Sequence, residues 1–195
     1  FTSRPVFEVQ GQMLRPNLGL LVCRQTKEPF AVLATRCLST HKIVAVYDRT
    51  SLVPLWVYRS EPDHQHNLRF DDVASPNLSG SFLAALAGAL SLGKPVGRGL
   101  PRGLAAEDVF QYAYAVFHSP GYRIRYAELL KIDFPRVPIT SRLELFRELA
   151  RLGGELVALH LVEAPAQQAL SARYDKAARA WRYEVAKGPR LPVSL

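Results

Sequence analysis

DVFQYAYAVFHSPGYRIRYAELLKIDFPRVPIT, residues 108–140, is the stretch on which the fold turns. From Ala105 to Ser119 apolar residues recur at helical spacing, with Phe110, Ala113, Tyr114 and Phe117 forming the stripe. Glu107 and Asp108 lie in the first turn, where carboxylates favour the positive end of a helix dipole. Pro120 and Gly121 make a tight break. A second helix is predicted over Tyr122–Lys131, with Tyr122, Tyr126, Leu129 and Leu130 on one side. Pro135 and Pro138 end it, because proline removes a backbone donor and clashes with the preceding turn. Arg123 and Arg125 fall off the apolar side, and Lys131 and Arg136 add to the basic set. The stretch thus reads as a helical hairpin with a basic, proline-punctuated exit. Its cations fit either a solvated face or a surface that holds a polyanion.

Upstream, four runs rich in Val, Leu and aromatics predict strands: Leu18–Arg24, Phe30–Leu38, Lys42–Asp48 and Leu52–Tyr58. QTKEP, STH and RTS separate them, which suggests an antiparallel meander. Pro54 places the last strand at an edge or breaks it. Arg59–Asp72 is polar and aperiodic and reads as a long connector. A helix follows, with Asn77 or Ser79 as N-cap and Phe82, Leu83, Leu86 and Leu90 on one face. GKPVGRGLPRG (93–103) reads as a cationic linker carrying Lys94, Arg98 and Arg102. Downstream, Ser141–Glu163 predicts one or two helices jointed at Gly153–Gly154, and the tail predicts two short strands about a turn near Asp175–Ala178. No internal repeat or low-complexity segment interrupts this pattern.

The fold class is α+β: a small, mostly antiparallel sheet, then a helical region with a hairpin, then short C-terminal strands. Residues 1–72 form the sheet-rich part and 73–195 the mainly helical scaffold, together one domain. With 48% hydrophobic and 22% charged residues the composition is that of a globular domain able to bury its own core. Runs such as LGLLVC are too short to cross a bilayer. Cys23 and Cys37 sit in apolar runs without metal-ligand spacing, so buried free thiols in a reducing cytoplasm are expected. The chain starts at Phe1 without a methionine and shows no signal peptide, and it is expected to be a piece of a longer protein.

Charge supplies the first functional signal. Twenty-five Lys and Arg against 17 Asp and Glu give +8 and a pI near 9.8. Neutralising phosphates releases counterions, so a domain this basic suits nucleic acid, while docking of an acidic protein is the plainer alternative. Motifs for chemistry are missing. GKPVGRGLPRG does not match GxxxxGK[ST] and lies between helices; DHQH (63–66), near Asp71 and Asp72, fits no metal-ligand spacing. There is no GxSxG, no HExxH and no Asn-Pro-Pro-aromatic run for a flipped base. No catalytic and no metal site is therefore assigned, and a metal-dependent nuclease centred on Asp63–Asp72 stands as a rival reading. Most of the tyrosines, spaced as helix residues, are expected in or beside the core with hydroxyls seeking partners, and His118 and His160 as structural histidines.

The hairpin stretch also resembles a segment of the C-terminal specificity part of type ISP restriction–modification enzymes and related adenine-specific DNA methyltransferases. Tyr112, Tyr114, Ala115, Val116, His118, Ser119, Pro120, Tyr122, Arg123, Tyr126, Leu130, Lys131, Asp133, Phe134, Pro135, Arg136 and Pro138 fit that pattern, with Phe117 and Val137 replacing Leu and Ile. LGGELVALHLVE (152–163) resembles the following helix, and NLGLLVCRQ and PLWVY resemble upstream strands. The chain lacks the family's usual further Gly-Gly-Tyr segment. The resemblance implies a target recognition domain, itself non-catalytic, whose partners are double-stranded DNA and a methyltransferase domain of the same chain that uses S-adenosylmethionine. It implies that the hairpin is scaffold, that Pro120 opens its second helix, and that Asp133 pairs with Arg136 or caps locally. By placement on the loops, Arg24, Gln25, Lys27, Arg36, Thr40, His41 and Lys42 are the expected base and phosphate contacts, joined by Arg123, Arg125 and Arg136.

Overall fold

The computed structural model of the chain describes residues 7–62, 68–93, 99–163, 170–175 and 180–185. A short helix α1 (Phe7–Gln10) and a 3₁₀ turn (Gly11–Leu14) lead into β1 (Gly19–Cys23). The strands β2 (Val32–Thr35) and β3 (Thr50–Pro54) pair antiparallel on either side of β1, giving the order β2-β1-β3. Being central, β1 is covered on both faces, and that is why GLLVC is a nearly continuous apolar run rather than an alternating one. Val22 joins the helical core, while Leu21 packs with Leu52 and Met13 beneath the N-terminal turn.

Two corrections to the predicted meander follow. Lys42–Asp48 forms no strand and instead crosses as an irregular loop between β2 and β3. The polar stretch after Tyr58 is not wholly a connector. It supplies most of β4 (Trp56–Pro62) and β5 (Leu68–Pro76), an antiparallel pair with a register shift between Tyr58 and Ser60. Pro54 both ends β3 and leaves it at the sheet edge, and Leu55 separates it from β4 in the second sheet. β5 runs through position 72. Two buried amides bind the start of the chain to β4 as a strand would. Asn17 accepts from Trp56 N–H at 3.0 Å and donates to its carbonyl at 2.8 Å. Gln12 does the same to Tyr58, at 2.7 and 3.3 Å.

The helices are α2 (Gly80–Ala89), α3 (Ala106–His118), α4 (Pro120–Arg125), α5 (Leu129–Ile132) and α6 (Leu143–His160). Ser79 caps α2, accepting from Phe82 N–H at 3.2 Å, and Asp108 accepts from Ala105 N–H at 2.8 Å at the head of α3. α3 is buried on more than its predicted stripe: Tyr112 stacks on Phe146 of α6, and Val109 and Val116 are buried as well. One cluster joins Leu18, Val22 and Val32 to Leu86, Phe117, Tyr122 and Phe146, so the sheet and helices share a core.

The second helix of the predicted hairpin is split: a turn at 126–128 divides α4 from α5, and Leu129 is exposed. Gly153 and Gly154 are not a joint, since α6 is continuous. They let α6 approach α3, the most extensive pairing of two elements among the described residues. The tail forms β6 (Leu170–Asp175) and β7 (Ala180–Val185), an antiparallel pair as predicted. Cys23 is buried, with burial raising its thiol pKa, but Cys37 is exposed, contrary to expectation, because β2 has ended before it.

Candidate nucleic-acid interface

The antiparallel register sorts the predicted contacts between the two ends of the first sheet. Thr50 lies beside Cys23 and Thr35 beside Gly19. The β1–β2 loop and the loop entering β3 therefore meet at the Cys23 end. Lys27 N–H donates to Asp48 Oδ2 at 3.0 Å, Val46 N–H to the Glu28 carboxylate at 3.1 and 3.2 Å, and Thr50 N–H to the His41 carbonyl at 2.9 Å. α5 joins them, with Thr26 N–H donating to the Lys131 carbonyl at 3.0 Å. Arg24, Gln25, Lys27, His41 and Lys42 are thus gathered at one end, all exposed, and Thr40 precedes them on the surface.

Lys131, named from sequence only among the basic residues of the hairpin, is brought to the same end. A groove of about 430 Å³ there has Phe30 and Leu130 in its wall and Lys27, Arg123 and Lys131 along it. Arg24 donates to Asp133 at 3.3 Å, so the partner of Asp133 is Arg24 and not Arg136. The Phe134 N–H, then Arg24, hold the Asp133 carboxyl below the usual range. Both partners are largely exposed, and an ion pair so hydrated exchanges readily for another anion. Lys42 donates from Nζ to the Tyr47 carbonyl at 2.6 Å.

Arg36 stands at the opposite, Gly19 end. Its Nε and Nη2 meet the two Glu163 oxygens at 2.6 and 3.2 Å, tying β2 to the end of α6 beside a cleft of about 440 Å³ that also holds Trp56 and Glu107. Arg123 donates from Nε to the Phe117 carbonyl at 2.8 Å and lies over the Phe30 ring. Arg125 is exposed above Tyr126, and the Arg136 side chain is exposed while its carbonyl is held.

Three of the helix tyrosines find the partners expected of them. Tyr122 donates to the Arg136 carbonyl at 2.8 Å and Tyr112 to the Pro138 carbonyl at 2.7 Å, so two hydroxyls fix the irregular exit segment that prolines bar from a ladder. Burial raises both phenol pKa values. Tyr114, fully buried, accepts from Ala34 N–H at 3.2 Å and sits 2.5 Å from His160 Nδ1; its own proton needs an acceptor, which makes His160 the Nε2–H tautomer. Burial pushes the Tyr114 pKa up to about 12. His118 donates from Nδ1 to the Tyr114 carbonyl at 2.9 Å, and burial lowers its pKa. Both histidines are structural, as read from their faces.

Among the described residues no three His, Cys, Asp or Glu side chains converge as a metal would require. Residues 63–67, Lys94 and Arg98 lie outside the described residues, as do the side chains of Asp71 and Asp72. No helix of the described residues is long and apolar enough to cross a membrane.

These features define an α+β domain with a hydrogen-bonded sheet end that gathers cations beside the helices. The chain belongs to the family described as the type ISP C-terminal specificity domain, whose model matches residues 1–191. It is similar to a chain of the cryoEM structure of a DrdV–DNA complex, with 26% identity and a TM-score of 0.58 over 80% of this chain. It shares the fold of the ATP-dependent type ISP restriction–modification enzyme LlaBIII bound to DNA, at 21% identity and a TM-score of 0.55 over 80% of the chain. The similarity spans 13% and 9% of those two chains. No curated protein matches the sequence.

Proposed function

We propose that this domain reads a duplex DNA sequence on behalf of a larger restriction–modification enzyme, in which an S-adenosylmethionine-dependent domain methylates adenine. The observation that carries the reading is the gathering of Arg24, Gln25, Lys27, His41, Lys42 and Lys131 at one braced end of the sheet. Membership of a family described as a specificity domain supports it, as does the DNA in the DrdV complex. Lys27 and Lys131 hold backbone phosphates, a contribution that weakens with salt. Gln25 has the paired donor and acceptor that adenine presents in the major groove, and Arg24 the fork that matches guanine once it leaves Asp133. Arg36 and Arg123, engaged within the fold, contribute positioning.

The test is retention of random duplex DNA by the chain at several salt concentrations, followed by sequencing of what is retained. An enriched motif with affinity falling steeply as salt rises is the expected result. Salt-dependent retention without a motif would reduce the domain to a phosphate holder, and no retention at low salt would refute the reading.

A further inference from the structure

KIVAVYD (42–48) has the composition of a buried strand, yet Val46 and Tyr47 are 69% and 76% exposed. They are not loosely held. Thr50 Oγ1 accepts from Ile43 and Val44 N–H at 3.3 and 3.1 Å, Ala45 is buried, the Glu28 carboxylate takes Val46 N–H, and Lys42 takes the Tyr47 carbonyl. The loop is thus ordered on both sides of a tip that offers a branched apolar side chain and a phenol ring to solvent. Lys42 Nζ lies against Tyr47, the Lys27 backbone meets Asp48, and the exposed Arg49 follows two residues after Tyr47. The nearby anions, Glu28 and Asp48, are directed at Val46 and Lys27 N–H. Exposed apolar groups at a held tip, with cations beside them, fit a surface that is anionic at its rim and apolar within. Duplex DNA has that character, with phosphates bordering a major groove in which thymine presents its 5-methyl group.

We propose that Val46 and Tyr47 are specificity-determining residues that pack against a thymine 5-methyl in the major groove, an inference that rests on the DNA-reading function above. The flanking cations hold the phosphates on either side, and the rigid loop limits the entropy lost on contact.

The experiment compares the chain with its Val46→Ala/Tyr47→Ala variant in the random-duplex selection, then measures binding of the selected duplex with each thymine replaced by uracil. Both side chains are exposed, and the bonds that hold the loop reach Val46 and Tyr47 only through their backbone atoms, so matching melting temperatures are expected. The wild type is expected to lose about tenfold in affinity, the scale of one base contact, when uracil stands at one or two adjacent positions. The variant is expected to lose its preference at those positions, to be indifferent to uracil there, and to keep the same salt dependence. A variant that selects the same motif with the same preferences overturns the inference while the DNA-reading function stands, as does a wild type indifferent to every uracil. A wild type that retains no duplex at any salt overturns both.

Discussion

Replacing Gly153 by alanine isolates the packing that holds the scaffold together. A methyl group there overlaps the Gln111 carbonyl oxygen of α3 and lies 2.7 Å from its carbonyl carbon and 3.2 Å from Ala115 Cβ, against 3.4–4 Å for ordinary contact. The obstacle is helix backbone, which no rotamer change can move aside, so α3 and α6 must part by about 1 Å along a close-packed interface. Overpacking of this kind costs about 3 kcal/mol, the upper part of its usual range, because the obstacle is rigid. The better helix propensity of alanine returns about 1 kcal/mol. The net loss of about 2 kcal/mol corresponds to a Tm lower by about 4–8 °C for a chain of this size. Gly154 is the control within the same turn. A methyl there meets only the end of the Gln111 side chain, at 3.0–3.2 Å, which can swing away. Gly154→Ala should therefore melt at or a few degrees above wild type, by about 2–4 °C. Thermal melts and urea titrations followed by circular dichroism give both values. If Gly153→Ala is as stable as wild type, or the two variants behave alike, the close approach of α3 and α6 is wrong.

Three further outcomes follow from the geometry. Lys27→Ala and Lys131→Ala should each weaken binding evenly across sequences and lower the slope of log affinity against log salt by about 1, measured by fluorescence anisotropy. Arg36→Ala should leave the selected motif unchanged and cost at most about 1 kcal/mol of stability in a urea titration, because its exposed pair with Glu163 is at the far end of the sheet. Burial lowers the His118 pKa below its ordinary 6.5, so between pH 6.5 and that lower value the unfolded chain carries a proton the folded chain does not. The His118 contribution should be constant above that window and fall as pH drops through it, by up to about 1.4 kcal/mol per unit. Stability measured against pH should show this slope diminished in His118→Gln.

The sequence revealed most where the signal is local. Helical spacing found α3 and the run that forms α6, and Ser79 as one of two candidate caps, while the resemblance carried by Tyr112–Pro138 supplied Pro120 as the first residue of α4 and named the family that residues 1–191 match. It failed where distant groups decide. Lys42–Asp48 has strand composition, but its backbone donors are taken by Thr50 and Glu28 side chains, so no ladder forms. β5 carries Asp71 and Asp72 and lacks apolar alternation, so pairing with β4 left no pattern to read. The glycine pair was read as a hinge because spacing does not show whether a missing Cβ frees the backbone or admits a neighbour. The candidate site was half legible. Its cations could be counted, but their division between two sheet ends depends on register, as does the placing of Arg36 with Glu163 far from Arg24.

The most direct test of the central claim is competition at about 150 mM salt between a duplex selected by the chain and a scrambled duplex of the same length and base composition. Sequence reading predicts that the selected duplex binds at least about a thousandfold more tightly, the lower end of specific recognition. Equal binding of the two duplexes, each equally weakened by salt, would show that the cationic end holds phosphates only, and would contradict the account.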